Sequence, residues 1–328
     1  MPTLPVWKPI AAAISHATQT RFEFTDAISV TGGCINRAWR IEGHDGVRYF
    51  VKLSDACKLA MFEAESAGLD AIAATKTVRV PQPITHGIAG EHAYLVLEYL
   101  ELNNSGNARL FGEQLAALHR FTSDRANGEP YAAAEVNSGY SRPGCFATPY
   151  RDRSANRFGF HRDNTLGLTP QCNERSSDWI AFWCERRLGF QIDLAARNGY
   201  GGKLQEMGRQ LMQRLPEFFD GYRPEPSLLH GDLWGGNHAY TADGTAVIFD
   251  PAPYYGDREA DLAMTELFGG FAPQFYAAYR AAWPLDAGYA TRKTLYNLYH
   301  VLNHANLFGG SYAGQAEAMM RRLLEGAD

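Results

Sequence analysis

Leu228-Leu229-His230-Gly231-Asp232-Leu233-Trp234-Gly235-Gly236-Asn237, a short spacer, and then Ala246-Val247-Ile248-Phe249-Asp250-Pro251 decide how this chain is read. His230 and Asp232 belong to a short loop. Asp243-Gly244 marks a turn, and the apolar run from Ala246 to Phe249 has strand character and ends on Asp250. The block thus carries a carboxylate, an amide five positions later and a second carboxylate thirteen positions after that. Phosphoryl transfer asks for such a set: one Asp orients or deprotonates the attacking hydroxyl, while an Asn and another Asp hold magnesium against nucleotide phosphates. Magnesium takes hard oxygen ligands and draws only one or two carboxylates from a protein. Asx residues also serve turns for local reasons. The argument rests on the combination of His, Asp, Asn and a strand ending in Asp.

The totals set bounds around this block. A chain of 328 residues suits two lobes around one cleft, and 45% hydrophobic with 20% charged residues describes a globular protein with a large core. A net charge of −5, with no Lys/Arg run, argues against nucleic acid as a partner. The cysteines (Cys34, Cys57, Cys145, Cys172, Cys184) are odd in number and lack a Cys-x2-Cys pair, which argues against a disulfide framework or zinc site. With neither a signal-peptide pattern nor an apolar run of about 18 residues, no membrane association is expected and a cytoplasmic setting is.

Working outward, Trp7 to Thr20 reads as a helix and Phe22 to Val30 as a strand. Thr31-Gly32-Gly33-Cys34-Ile35-Asn36 follows as a glycine loop between strands, able to lay backbone N–H groups over phosphates. The strand Ala38 to Ile41, the turn His44-Asp45-Gly46 and the strand Val47 to Leu53 come next, with Lys52 near the end. Lys58 to Ala74 has helical periodicity. At about 100° per residue, Glu65 falls within about 40° of Met61, Leu69 and Ile72, and Glu63 points the other way. A carboxylate on an apolar face needs a partner, so Glu65 is expected to pair with Lys52. Val78 to Pro83 is extended, and Ile84 to Gly87 leads into a turn. The strand Tyr94 to Leu100 ends in Glu98-Tyr99-Leu100, read as a hinge whose backbone could bind adenine. Beyond it, Ala108 to Arg120, Asp178 to Leu194, Leu204 to Phe219, Phe271 to Trp283 and Arg292 to Leu307 read as helices, and Tyr254 to Ala263 as the opening of another. Asn127 to Pro149 and Phe158 to Asn173 read as irregular.

Three stretches together resemble the fructosamine kinase (ketosamine-3-kinase) family over nearly the full length: His230 to Asn237, Phe249-Asp250-Pro251-Ala252, and Gly32 to Asn36. Asp163-Asn164, Thr169-Pro170-Gln171-Cys172-Asn173, Asp178-Trp179 and Leu302 to Gly309 extend the likeness. The family is related to aminoglycoside and choline kinases. Those relatives share the His-x-Asp…Asn and Asp pieces but usually lack the Leu-Trp and the Thr-Pro-Gln block. The resemblance implies an α+β, bilobal, protein-kinase-like fold. Its N-terminal lobe (1–100) would hold a small antiparallel sheet and one key helix, and its mainly helical C-terminal lobe (101–328) the catalytic loop.

The implied activity is ATP- and Mg2+-dependent phosphorylation of the 3-hydroxyl of a ketosamine, a glycated amine that is free or on a protein lysine. The product is unstable and releases the amine, which amounts to deglycation. By the same resemblance Asp232 is the catalytic carboxylate, Asn237 and Asp250 hold magnesium, and Lys52 with Glu65 anchors phosphate. Gly32, Gly33 and Cys34 cover the phosphates, Glu98, Tyr99 and Leu100 form the hinge, and Trp234 and His304 meet the sugar. Cys34, in a loop of exposed amides near a lysine, is a candidate redox switch, through a disulfide within the chain or between two copies. An aminoglycoside or amino-alcohol phosphotransferase is the alternative, favoured by a strongly acidic acceptor groove. A pseudokinase would be expected to lack Lys52, Asp232 or Asp250, and all three are present.

Overall fold

The structure is a computed structural model that describes residues 4–30, 36–122 and 157–326. Gly32, Gly33, Cys34 and Cys145 lie outside the described residues, and with them the glycine-loop and redox expectations. Two compact units emerge: Met1–Asn107 with His238–Pro251, and Ala108–Asn237 with Ala252–Asp328. A single cut near residue 100 leaves the strand before Asp250 with the later chain. By its contacts that segment packs with the first unit.

The first unit is built on an antiparallel sheet in the order β1-β2-β3-β5-β4, comprising β1 (Phe24–Val30), β2 (Arg37–Gly43), β3 (Arg48–Asp55), β4 (Pro83–Ala89) and β5 (His92–Glu98). Alternation along β2 and β3 turns Trp39, Ile41, Val51 and Leu53 to one face, where they pack with Trp7, Ile10 and Ile14 of helix α1 (Leu4–Thr18). Helix α2 (Leu59–Ala74) follows a short 3-10 turn and packs on β4 and β5. It buries Phe62, Leu69 and Ile72 at the 3–4 spacing of an amphipathic helix. Strands β9 (His238–Tyr240) and β10 (Ala246–Ile248) form a hairpin stitched to this unit at both ends. Asn103 and Tyr240 exchange backbone bonds of 2.8 Å, and Ile248 N–H donates to Arg79 C=O at 3.0 Å.

In the second unit, helix α3 (Ala108–His119) packs on α8 (Pro273–Ala282). Glycine permits the close approach, since a Cβ on Gly112 would lie 2.2 Å from the Phe275 carbonyl oxygen. Strands β6 (Asn164–Leu166) and β7 (Thr169–Gln171) form a hairpin, and β8 (Ser227–Leu229) pairs with β11 (Tyr254–Gly256). Helices α4 (Trp179–Trp183) and α5 (Gly189–Arg197) are joined by a π turn, and α6 (Lys203–Arg214) passes into a 3-10 turn. Then come α7 (Arg258–Leu267), α9 (Tyr289–Phe308) and α10 (Tyr312–Glu325). Trp179 and Trp183 are buried against the Tyr296 and Tyr299 side of α9, and Phe182 is buried against Trp179 and Tyr254.

Two sequence expectations change, and one helix is added. Tyr254 to Gly256 does not open a helix: it pairs as a strand, and α7 begins at Arg258, where the Asp257 carboxylate caps the helix by accepting from Glu259 N–H at 3.0 Å. The segment 158–173 contains a hairpin, and 312–325 a helix that the sequence reading leaves unassigned.

Candidate active site

Within the first unit, Lys52 sits inside the sheet between β2 and β5 and is only 7% exposed. Its ammonium contacts the Glu65 carboxylate of α2 at 2.5 Å and Asp250 at 2.5 Å. Burial alone would depress the lysine. Asp250 and Glu65 outweigh it and hold the ammonium above its ordinary value. Glu65 is raised by burial, against the pull of Lys52. The side chain of Asp250 is 43% exposed beyond this contact. Its backbone is left-handed, with φ of 58°, although it precedes a proline, which disfavours such geometry. Backbone strain of that kind costs about 1–3 kcal/mol and concentrates where function needs it.

The second unit holds the other part. Strand β8 delivers His230, which is fully buried, and Gly231, whose φ is 82°. Asp232 N–H donates to His230 Nδ1 at 3.2 Å. Asn237 is buried and its amide nitrogen donates to the Asp232 carbonyl at 2.8 Å and to its carboxylate at 3.2 Å. Neither bond uses the amide oxygen, the atom that magnesium would take. Asp261 of α7 accepts from His230 N–H at 2.7 Å and Gly231 N–H at 2.8 Å. The His119 ring lies 3.1 Å from the same carboxylate, and its other nitrogen lies 2.7 Å from the Tyr279 hydroxyl. Burial opposes ionisation of Asp261, but His119 and these amides hold its carboxyl below the usual value. The sequence reading does not pick out Asp261, His119 and Tyr279, which together hold the backbone of the His230-Gly231 turn. The one sequence signal is a carboxylate, Asp261, amid the buried positions of α7.

Trp234 and His304, distant in sequence, share an aromatic row. Trp234, 36% exposed, meets Phe268 edge-on at 5.9 Å, and Phe268 meets His304 at 5.1 Å. His304 also lies 5.1 Å from Tyr312. Nδ1 of His304 is 2.8 Å from the His300 carbonyl, so it carries the proton and Nε2 is the acceptor in the neutral ring. Phe268 follows α7 and has no periodic signal to mark it.

Glu98 ends β5, and its side chain ties back to Arg79 at 2.6 Å and Gln82 N–H at 3.3 Å. Tyr99 and Leu100 continue as irregular chain.

Taken unit by unit, the donor types suit a magnesium nucleotide: the first unit holds a partly exposed carboxylate and a buried lysine held by a glutamate, and the second holds the amide oxygen of Asn237. Among the described residues there is no cluster of three or more His, Cys, Asp or Glu that could hold a metal by itself.

The fructosamine kinase family model matches residues 6–134 and 144–326. The chain belongs to the fructosamine kinase family. It is 42% identical over 321 residues to a Synechocystis sp. protein named a probable ketoamine kinase, covering 97% of each chain. It is 40% identical over 301 residues to the chloroplastic protein-ribulosamine 3-kinase of Arabidopsis thaliana, covering 91% of this chain and 82% of that one. A crystal structure from Haemophilus somnus, of a protein assigned as a fructosamine-3-kinase, superposes with a TM-score of 0.79 at 26% identity and covers 98% of both chains. The fold is therefore protein-kinase-like and mixed α+β, and the protein is an ATP-using phosphotransferase with an alcohol acceptor. Among the described residues no helix is long and apolar enough to cross a membrane.

Proposed function

We propose that this kinase phosphorylates the 3-hydroxyl of a ketosamine, of the ribulosamine or fructosamine type, and so starts its deglycation. The carrying observation is the catalytic loop: the Asp232 carboxylate accepts from Asn237, and the buried Asp261 holds the His230-Gly231 backbone before it, in a chain that shares nearly its full length with a protein-ribulosamine 3-kinase. Magnesium-ATP, when bound, supplies the phosphoryl group together with the cation that offsets its charge. Asn237 and Asp250 would ligate the cation, and Lys52, held by Glu65, would bind the phosphates. The backbone at Glu98, Tyr99 and Leu100 would meet the adenine, with Gly32, Gly33 and Cys34 over the phosphates.

Asp232 orients the sugar hydroxyl and takes up its proton as the phosphoryl group arrives. The indole of Trp234 offers a flat apolar face for the sugar, and the Nε2 acceptor of His304 a site for a hydroxyl or the ketosamine N–H. The carrier is a small glycated amine or a glycated protein lysine.

ATP consumption is to be measured with ribulose-lysine, fructose-lysine and kanamycin side by side. Turnover on one or both ketosamines supports the proposal. Turnover on kanamycin alone moves the protein to the aminoglycoside phosphotransferases.

A further inference from the structure

Asn164 and the Thr-Pro-Gln block have no place in the chemistry above, yet Asn164 and Gln171 are among the most buried polar groups of the second unit. Asn164 is 4% exposed and Gln171 1%. They face each other across the β6-β7 hairpin, where the Gln171 amide nitrogen donates to Asn164 Oδ1 at 2.8 Å. The remaining donors go to one short stretch of backbone. Asn164 Nδ2 donates to the Pro253 carbonyl at 2.8 Å, and Gln171 Nε2 to the Ala252 carbonyl at 3.1 Å. The Tyr299 hydroxyl donates to Gln171 Oε1 at 2.7 Å and so fixes which way that amide faces.

That stretch has an unusual need. In Pro251-Ala252-Pro253 two of three residues lack an N–H, so no regular strand ladder can form there. Its buried carbonyls still require donors. The one N–H, on Ala252, goes to the His230 carbonyl at 2.9 Å. The Ala252 carbonyl is pressed onto the catalytic loop so closely that a Cβ on Gly231 would lie 2.0 Å from it. The two amides complete the attachment without adding a charge beside the loop. Lysine or arginine in their place would satisfy the carbonyls too, but would bring a cation to the stretch that packs on the His230-Gly231 turn.

We infer that Asn164 and Gln171 are positioning residues for the magnesium site: they clamp Ala252 and Pro253 to the His230-Gly231 turn and thereby fix the chain that carries Asp250 two residues upstream. The inference rests on the assignment of magnesium to Asp250. Removing the clamp leaves Asp250 in place chemically but frees its backbone, so the ion is bound less well while metal-free nucleotide binding is kept.

The test is a Mg2+ titration of fluorescent ATP-analogue binding to the full-length protein. It compares wild type with Gln171→Glu, Gln171→Met, Asn164→Ser, Asp250→Ala and Tyr289→Phe. Gln171→Glu keeps the shape and the bond from Tyr299 but replaces the donor by an acceptor. Asn164→Ser is the variant to read should neither Gln171 variant fold. Tyr289→Phe removes a hydroxyl bond to Glu266 of 2.7 Å elsewhere in the same unit and controls for general loosening.

The expected result is an Mg2+ midpoint raised about tenfold in the Asn164 and Gln171 variants, the usual scale for supports of metal ligands, and unchanged in Tyr289→Phe. A raised midpoint in Asp250→Ala alone overturns the clamp and keeps the metal assignment. An equal rise in Tyr289→Phe also overturns it. An unchanged midpoint in Asp250→Ala overturns the metal assignment itself.

Discussion

Lys52 is the residue that makes the first unit's chemistry interpretable. Its ammonium lies in the sheet with a carboxylate from α2 on one side and Asp250 on the other. Glu65→Ala removes the partner that fixes the lysine and should cut turnover by roughly 10–100-fold, in the range for losing one preorganised electrostatic contact, with a kinetic pattern like that of Lys52→Ala. Glu63→Ala should stay within about twofold of wild type in turnover, because its phase on α2 turns it away from Lys52. Steady-state kinetics on the three variants decide the point, and greater sensitivity at Glu63 would refute the phase given to α2. That phase is legible in sequence because Met61, Leu69 and Ile72 set the apolar face by spacing alone. The left-handed backbone of Asp250 is not legible, because the proline that follows argues for the opposite conformation and tertiary contacts override it. The Asp261 support and the Phe268 bridge between Trp234 and His304 also escape the sequence. Each exists only once distant elements have packed. Asp232→Asn should keep nucleotide affinity and lose about 10²–10⁴ in turnover, the usual contribution of a positioned proton acceptor. Loss of ATP affinity with turnover intact would contradict that role.

The elements divide by length. Long helices with a clear apolar stripe, such as α2 and α3, and strands with alternation, such as β2 and β3, are readable from residues alone. The three-residue strands β6, β7, β8 and β11 are not, because three positions cannot display a period of two against chance. Tyr254-Tyr255-Gly256 looks like the approach to the helix it precedes, and only its pairing with Ser227–Leu229 makes it a strand. Helix α10 buries Ala316, Met320 and Leu323, a 4-3 spacing carried by a single alanine and two larger residues, too sparse to stand out. Helix packing gives its own prediction. Gly112 of α3 faces the Phe275 carbonyl of α8 with no room for a methyl group. Gly112→Ala should therefore destabilise the protein by about 1–3 kcal/mol despite alanine's better helix propensity, because overpacking dominates. Urea unfolding measures this, and a stabilised variant would show that α3 and α8 are not held so close.

For the molecule as a whole, buried histidines make stability depend on pH. His300 is 5% exposed, and burial, aided by the neighbouring His304, pushes its ring from 6.5 down to about 3. Between those two values the unfolded chain binds a proton that the folded chain refuses, so stability is complete above 6.5 and falls as pH drops. The slope is ~1.4 kcal/mol per pH unit for one such group. His300→Gln should accordingly lose about 2 kcal/mol less than wild type between pH 7.5 and pH 5, by urea unfolding at each pH. Equal losses would mean that the ring is protonated in the folded state. The division into two units is legible only in part: the end of the first sheet is visible in sequence, whereas the return of His238–Pro251 to the first unit depends on backbone bonds at Asn103 and Arg79. That return places Asp250 in the same unit as Lys52, and Asp232, the proposed proton acceptor, in the other. The most direct test of the whole account is the position of the new phosphate. Ribulose-lysine is incubated with Mg2+-ATP and the wild-type protein, and the product is read by phosphorus–proton NMR correlation. The account predicts phosphorus coupled to the proton on carbon 3 of the sugar. Phosphorus on any other carbon, or none on the sugar while kanamycin is phosphorylated, would contradict it.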